Sequence, residues 1–248
     1  MKLFFYIVIL CFAITGCKSK KNDDDMIVPS DQLYNDGLSL LEKHKYEKAA
    51  EEFSRIFFQN PGDPITPQAE LMQSYSLFLA SQYEEAIDVL DTFIKLHPAN
   101  EDIQYAYYLR ALSYYMQISN VQLDQSRTML TKMSFEEVMA LFPRTKYAID
   151  AALKIDLVND HLAGKEMYIG RYYLKKNNPI AAINRFQIVL DNYQTTSHTP
   201  EALYRLVESY LMLGLTDEAK KYAAVLGHNY PDSTWYKHAH SLIGNYKK

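Results

Sequence analysis

Cysteine, tryptophan, glycine and proline are all scarce in this sequence of 248 residues, which contains two, one, eight and nine of them. Two cysteines are too few for the disulfide framework of a small secreted domain. Few glycines and prolines leave long stretches without a helix breaker, so the composition favours long helices joined by short turns. A basic excess is also missing, since the formal net charge is −4, and this argues against a nucleic-acid partner.

The common catalytic motifs are missing as well. The sequence contains no phosphate-binding loop, Gly-x-Gly-x-x-Gly, His-Glu-x-x-His or Gly-x-Ser-x-Gly, which are the usual signatures of nucleotide, zinc-protease and hydrolase sites. His238 and His240 are two residues apart, so a helix would place them on different faces and prevent shared metal binding. Glu166 is a candidate lone acid of a helical-repeat glycosidase, but most glycosidases use two carboxylates. We therefore expect no enzyme, metal or cofactor, and either a helix-surface position or a buried pairing role for Glu166.

The amino terminus is typical of a bacterial lipoprotein. Lys2 precedes an apolar run over 3–13. Ile14-Thr15-Gly16-Cys17 follows directly after this run. The run is about half the roughly 20 residues that a membrane-spanning helix needs, and small residues before a cysteine resemble the lipobox. We predict a signal peptide over 1–16 and a diacylglycerol and an N-acyl chain on Cys17, which together anchor a protein stably. The alternative is a short transmembrane helix with an incidental cysteine.

The two cysteines are then both assigned, because Cys11 lies in the predicted leader and follows the bulky Leu10. The mature chain has no thiol for a disulfide or a thiolate metal site. Residues 17–30 are charged and show no helical periodicity, so we predict a flexible tether between the lipid and a folded domain over 31–248, with a typical reach of about 20 Å.

Beyond the tether the chain repeats itself with a period of 37 residues. Tyr46–Phe53 and Tyr83–Leu90 align at that interval. Small residues and helix-ending prolines follow the same register, at Gly37, Ser74 and Ala111 and at Pro61 and Pro98. A small residue in a first helix, an alanine opening a second helix, a large apolar residue four positions later and a terminal proline resemble the tetratricopeptide repeat. The small side chains allow close helix approach, and the proline stops the second helix.

The predicted fold is all-α, an α-solenoid of about five tetratricopeptide repeats with a C-terminal capping helix. The third unit has eight extra residues between 116 and 132 relative to the first two, which predicts a longer loop or an extended helix. The fourth unit has Tyr193-Gln194 where other units have proline, so we expect it to end less sharply. The approximate bounds are 31–66, 67–103, 104–147, 163–197 and 200–231 for the repeats and 233–246 for the capping helix.

The first helices of such repeats line a concave groove, and this predicts a peptide-binding site. Counting from the small residue of each unit places a set of aromatic and aliphatic side chains there. They are Tyr34, Leu38 and Leu41 from unit one, Leu71, Tyr75 and Phe78 from unit two, and Tyr105, Tyr108, Leu112 and Tyr115 from unit three. Aromatic rings combine a large contact area with a polar tip, which suits an extended peptide. The alternative is that these tyrosines pack between helices.

Several stretches go beyond a generic repeat and, taken in order, cover nearly the whole mature chain. They are Ala106–Leu112, Phe142–Ala148, His161–Glu166, Arg171–Tyr173, Ala182–Arg185 and Tyr230–Tyr236. Together they resemble the BamD family, whose members are lipoprotein subunits of the β-barrel assembly machinery of the Gram-negative outer membrane. The predicted lipid anchor agrees with this resemblance, which implies attachment to the periplasmic face of that membrane.

The resemblance also implies partners. The amino-terminal groove would receive the C-terminal targeting segment of unfolded outer-membrane proteins, and the C-terminal repeats would bind a POTRA domain of BamA alongside other lipoproteins of the machinery. The BamA-contacting arginine of the family matches Arg185. A surface arginine on a helix is the alternative for this residue. For the whole chain the rivals are another periplasmic repeat lipoprotein, such as a pilus-assembly pilotin, and a helical-scaffold cell-wall enzyme.

Overall fold

The computed structural model describes residues 28–246 and is all-helical over that range, with eleven helices and no strand. The predicted signal peptide, Cys17 and nearly all of the predicted tether lie outside the described residues. The helices are α1 (Ser30–Glu42), α2 (Tyr46–Gln59), α3 (Thr66–Leu79), α4 (Tyr83–Leu96), α5 (Ile103–Tyr115), α6 (Ser126–Leu141), α7 (Lys146–Lys175), α8 (Pro179–Asn192), α9 (Thr199–Met212), α10 (Thr216–Asn229) and α11 (Thr234–Tyr246).

Consecutive helices pack as five hairpins, α1–α2 to α9–α10, and neighbouring hairpins stack on each other. We call the first helix of each hairpin, and α11, an A helix, and the second a B helix. Four of the five A-to-B turns place one residue in the left-handed region of backbone conformation, at His44, Ser81, Asn177 and Gly214. The turn continues the chain out of one helix and straight into the next. The same geometry therefore recurs at the same register in four hairpins.

The spacing of small and large residues has a direct steric counterpart. A Cβ built on Gly37 of α1 would lie 2.7 Å from Cε1 of Phe53 in α2, and one built on Gly170 of α7 would lie 2.3 Å from Cε1 of Phe186 in α8. Both rings are fully buried. The large residue of each B helix thus fills the space that the small residue of the A helix leaves open. The predicted all-α solenoid of tetratricopeptide hairpins is confirmed.

The end of the fourth hairpin differs from the expectation. α8 ends at Asn192, and Tyr193 adopts φ −136° and ψ 32°, close to the conformation at the end of α2, α4, α6 and α10. The predicted less sharp ending is therefore wrong. In the following turn the Thr196 hydroxyl donates to the carbonyl of Tyr193 and the Thr199 hydroxyl to that of Gln194.

The extra residues of the third hairpin lie in the connection 116–125 between α5 and α6, which we call the 116–125 loop. The following helix, α7, runs for 30 residues without a break. Its first half, which the repeat pattern left unassigned over 148–162, buries Ala151 and Val158. Ala151 packs against Phe135 and Val138 of α6. The first half of α7 therefore packs on the third hairpin, and its second half packs against α8 as the first helix of the fourth hairpin.

The last helix, α11, covers the end of the solenoid. Its Ala239 is fully buried, and Trp235, Tyr236 and Leu242 pack against the core of α9 and α10. Without α11 this apolar face would be open to water, as at any uncapped solenoid end. Within 28–246, no helix combines the length and apolarity needed to cross a membrane.

Candidate protein-binding surfaces

A row of tyrosines connects three A helices at the amino-terminal half. Tyr105 and Tyr108 of α5 both approach Tyr147 of α7, with ring centroids 5.8 Å and 5.1 Å apart. Tyr75 of α3 continues the row. Burial raises the pKa of the Tyr105 phenol above its ordinary value, and the neighbouring Tyr75 and Tyr147 raise it further. We call Tyr75, Tyr105, Tyr108 and Tyr147 the tyrosine row.

The Tyr108 hydroxyl of this row already has a hydrogen-bond partner within the chain. The Tyr108 hydroxyl donates a hydrogen bond to the carboxylate of Asp150 in α7, and this bond lowers the pKa of Asp150. Lys154 lies 3.2 Å from the same carboxylate and stands over the Tyr115 ring at 5.7 Å. The Tyr108 ring is therefore held in place, and its face rather than its hydroxyl is what a ligand would contact.

The predicted groove residues divide into three groups. Tyr75, Tyr105 and Tyr108 come together in the row, and Tyr115 contacts Phe135 at 6.1 Å. Leu71 is only 3% exposed and belongs to the core, so its assignment to the groove surface is corrected: the packing of α3 on α5 covers it. The other predicted positions, Tyr34, Leu38, Leu41, Phe78 and Leu112, are half-buried.

Two of these half-buried rings serve mainly as packing between helices. Tyr34 contacts Phe53 edge-on at 5.5 Å, and Phe78 contacts Tyr83 at 5.6 Å. The packing alternative therefore accounts for part of the predicted set. Sequence reasoning missed Tyr147, the last residue of the predicted third repeat, and Lys154, which lies in the stretch 148–162 that the repeat pattern left unassigned.

The 116–125 loop packs against the second half of α7. The His161 imidazole lies 2.7 Å from the carbonyl of Ser119, and the Lys165 ammonium donates to the carbonyls of Gln122 and Leu123 at 3.0 Å and 2.9 Å. A Cβ on Gly164 would lie 3.4 Å from Cγ1 of Val121. His161, Gly164 and Lys165 thus hold the loop against the A-helix face.

The candidate BamA contact, Arg185, lies on α8. Its side chain is 38% exposed, and its guanidinium pairs with Oε2 of Glu166 in α7 at 3.1 Å. Since a guanidinium has five donors, this pair leaves others available to a partner. Of the two roles expected for Glu166, the pairing role agrees with this contact.

A second charged network lies beside it on the C-terminal A helices and was not predicted. Glu201 of α9 accepts from Arg171 at 3.0 Å and from Arg205 at 3.3 Å. Arg205 also stands over the Tyr204 and Trp235 rings, at 5.2 Å and 5.7 Å from their centroids. This arrangement places the Arg205 guanidinium over two neighbouring aromatic rings at the end of the solenoid.

In the part of the chain that the structure describes, no three His, Cys, Asp or Glu side chains are grouped to hold a metal ion. His238 and His240 are both exposed, and His238 packs against Trp235 at 6.0 Å.

Comparison with known proteins decides the family. The family model YfiO, described as "Outer membrane lipoprotein", matches residues 26–226. The chain is 67% identical to the "Outer membrane protein assembly factor BamD" of Rickettsia prowazekii (strain Madrid E), over 99% of this chain and 98% of that protein. The chain belongs to the BamD family. The protein of the same name from Caulobacter vibrioides is 43% identical over 96% of this chain and 79% of that protein.

Likeness to solved structures is weaker. The MamA protein covers 80% of this chain with 16% identity and a TM-score of 0.41, which adds nothing to the assignment. The stretches singled out in the sequence, including His161–Glu166 and Ala182–Arg185, thus occur in a BamD-family chain, where His161 and Lys165 hold the loop and Arg185 meets Glu166.

Proposed function

We propose that this BamD-family chain is a non-catalytic scaffold subunit of the β-barrel assembly machinery, attached to the periplasmic face of the outer membrane. The observation that carries the proposal is the near full-length identity of 67% to a protein named as an outer membrane protein assembly factor. A solenoid of hairpins suits this role, because it presents extended surfaces to several partners at once.

The proposed anchor is the lipid on Cys17. The family model is described as an outer membrane lipoprotein, which supports a lipid at the cysteine that ends the leader. Mass spectrometry of the mature amino terminus tests this directly: cleavage before Cys17 and the mass of a diacylglycerol and an N-acyl chain are expected. An unmodified Cys17 or a retained leader would disprove the anchor.

The proposed substrate site is the tyrosine row with Tyr115. Its rings come from three helices, so an extended segment lying across them would contact several rings at once. The segment we propose is the C-terminal targeting sequence of an unfolded outer-membrane protein, which is the family's expected substrate. Leu71 has no part in this site because it is buried.

The proposed BamA contact is Arg185, which would meet a carboxylate of a POTRA domain. Its position on α8, half-exposed and already oriented by Glu166, supports this role. An arginine fork pairs well with a carboxylate across an interface.

Co-purification tests the function as a whole. The full chain, carrying an affinity tag at its C-terminus, is extracted from membranes with detergent and its partners are identified. Recovery of BamA and of other lipoproteins of the machinery is expected. Recovery of a pilus secretin without BamA would instead favour a pilotin, and a complex with neither would remove the proposal.

A further inference from the structure

A second groove lies on the B-helix side of the first two hairpins. Its floor is α3 and its walls are α2 and α4. Two neighbouring cavities of about 210 Å³ and 290 Å³ share Gln73 in the floor. Helical spacing places Tyr75 on the opposite side of α3 from Gln73 and Leu77. This α2–α4 groove is therefore separate from the tyrosine row.

One end of the groove is apolar and open. Phe58 of α2 is 77% exposed and contacts Phe57 edge-on at 5.5 Å, and Val89 of α4 lines the same cavity. Phe58 has the largest exposed fraction among the exposed large apolar side chains of 28–246. An exposed aromatic ring that lines a cavity can bury an apolar side chain of a partner protein.

The other end is acidic. Glu47 and Glu51 of α2 line the cavity of about 290 Å³ at this end, and Asp88 of α4 lines the other cavity, with Phe58. None of these three carboxylates forms an ion pair with any residue between 28 and 246. Glu70 in the floor is 4% exposed and lies 2.9 Å from His97, but neither of the two facing atoms has a hydrogen bond of acceptable geometry.

The adjacent groove between α4 and α6 contains a basic side chain that the α2–α4 groove lacks. Its floor residue Arg110, which follows Gln73 by 37 residues and so occupies the same repeat position, binds Asp91 at 2.7 Å and also pairs with Glu137. The third hairpin thus supplies its own cation between acidic walls. The α2–α4 groove has the neutral Gln73 at that position, and Glu47, Glu51 and Asp88 pair with no cation among residues 28–246.

We propose that the α2–α4 groove binds an extended segment of a partner protein that carries one large apolar side chain and two lysines or arginines. Along α2, Glu51 and Glu47 lie about 10 Å and about 16 Å from Phe58 at 1.5 Å per residue. An extended chain covers about 3.3 Å per residue. The basic side chains therefore lie about three and about five residues along the segment from the apolar one.

The chain's own tether is a poorer match. Val28 donates to Oε1 of Gln59 at 3.1 Å, so the tether leaves the domain beside Phe58. Its lysines, at 18, 20 and 21, are separated from Val28 by Asp23, Asp24 and Asp25. These aspartates would then lie along the acidic wall, where like charges repel. A separate basic segment avoids this repulsion.

The test measures binding of a fluorescent peptide, acetyl-Phe-Gly-Ser-Lys-Ser-Lys-Gly-amide, to the full detergent-solubilised chain by anisotropy. Saturable binding is expected below about 1 mM, weakening as salt rises from about 0.01 M to about 0.15 M. Glu47→Gln with Glu51→Gln should weaken it about threefold to tenfold, since exposed ion pairs have effects of that order. Phe58→Ser should also weaken it.

Glu101→Gln with Asp232→Asn, two exposed acids outside the groove, is the matched control and should leave binding unchanged. Absence of saturable binding, or equal affinity of the Glu47 and Glu51 variant, would overturn the proposal. A rise in peptide affinity on deleting 18–25 would show that the tether occupies the groove and would overturn the choice of a partner. Because this peptide has no C-terminal carboxylate and the groove lies away from the tyrosine row, these outcomes are independent of the proposed function.

Discussion

Gly170 of α7 lies directly against the ring of Phe186 in α8: a Cβ at this glycine would come within 2.3 Å of Cε1. The contact fixes how closely the two helices of the fourth hairpin approach. Gly170→Ala should destabilise the fold by about 1–3 kcal/mol, the usual effect of overpacking, although alanine favours a helix over glycine by about 1 kcal/mol.

Chemical denaturation measures this effect, with Gly244→Ala as the control. Gly244 also lies in a helix, but nothing stands within 4 Å of its Cβ position, so this variant should be slightly stabilised. If both variants gain stability, the close helix approach at Gly170 is wrong.

Much of the fold follows from such spacings. Gly37 and Phe53, or Gly170 and Phe186, are each 16 residues apart, and the turn between them holds a fixed geometry, so the sequence register predicts which side chains meet. The continuous α7 was not predicted. Residues 148–162 break the 37-residue period without containing glycine or proline, and the pattern gives no rule for how an inserted helical stretch joins its neighbours.

The candidate site was predictable only in outline. Helical spacing identified Tyr75, Tyr105 and Tyr108 as members of one face, but the bond from Tyr108 to Asp150 joins residues 42 apart in the chain. Leu71 was misplaced because spacing shows which way a residue points on its own helix, not whether a neighbouring helix covers it. The same holds for Arg185, whose partner Glu166 is set by the packing of α7 on α8.

A buried ionisable pair makes stability depend on pH. Burial raises the pKa of Glu70 above its ordinary 4.5, and the opposing effect of His97 is smaller. The folded state therefore holds this proton more tightly than the unfolded state. The contribution of Glu70 to stability falls as the pH rises from about 4.5 through the raised pKa, and it is constant above that range.

Glu70→Gln removes this titration. The difference in unfolding free energy between the parent and Glu70→Gln should therefore decrease across that pH interval, as measured by denaturation at a series of pH values. Subtraction cancels the contributions of the other acids. A difference that is flat with pH would show that Glu70 has an ordinary pKa.

The 116–125 loop depends on Lys165. Its ammonium holds two loop carbonyls, so Lys165→Met should release them while keeping most of the aliphatic stem. Hydrogen exchange should become faster at the amides of 119–123 and stay unchanged in α3 and α4. Lys237→Met, at an exposed lysine of α11, is the control; equal protection of the loop in both variants would contradict the proposed anchoring.

The tyrosine row should bind peptide through its ring faces. Tyr75→Ala combined with Tyr108→Ala should weaken a peptide that ends in an aromatic residue about tenfold or more, since buried aromatic contacts are the usual hot spots. Tyr108→Phe keeps the ring and should bind almost normally. Tyr172→Ala, at an exposed tyrosine outside the row, is the control, and circular dichroism checks helicity. Unchanged affinity of the double variant would assign these rings to packing alone.

The BamA contact at Arg185 tests the account most directly, because it separates a subunit of the assembly machinery from any other repeat lipoprotein. Within the chain, Arg185 and Glu166 are both partly exposed, so their pair contributes about 1 kcal/mol or less to stability. Charge reversal at Arg185 should therefore leave the fold intact. At a buried interface, truncation of one member of a charge pair has an effect of about 2–5 kcal/mol.

The measurement is titration of the parent and of Arg185→Glu against the POTRA domains of the cognate BamA, with Lys237→Glu as a charge-matched control and circular dichroism to verify folding. Since each 1.4 kcal/mol changes affinity about tenfold, Arg185→Glu should bind at least about thirtyfold more weakly than the parent, and Lys237→Glu should bind like the parent. No binding by the parent would contradict the proposed role, and equal binding by Arg185→Glu would place the contact elsewhere.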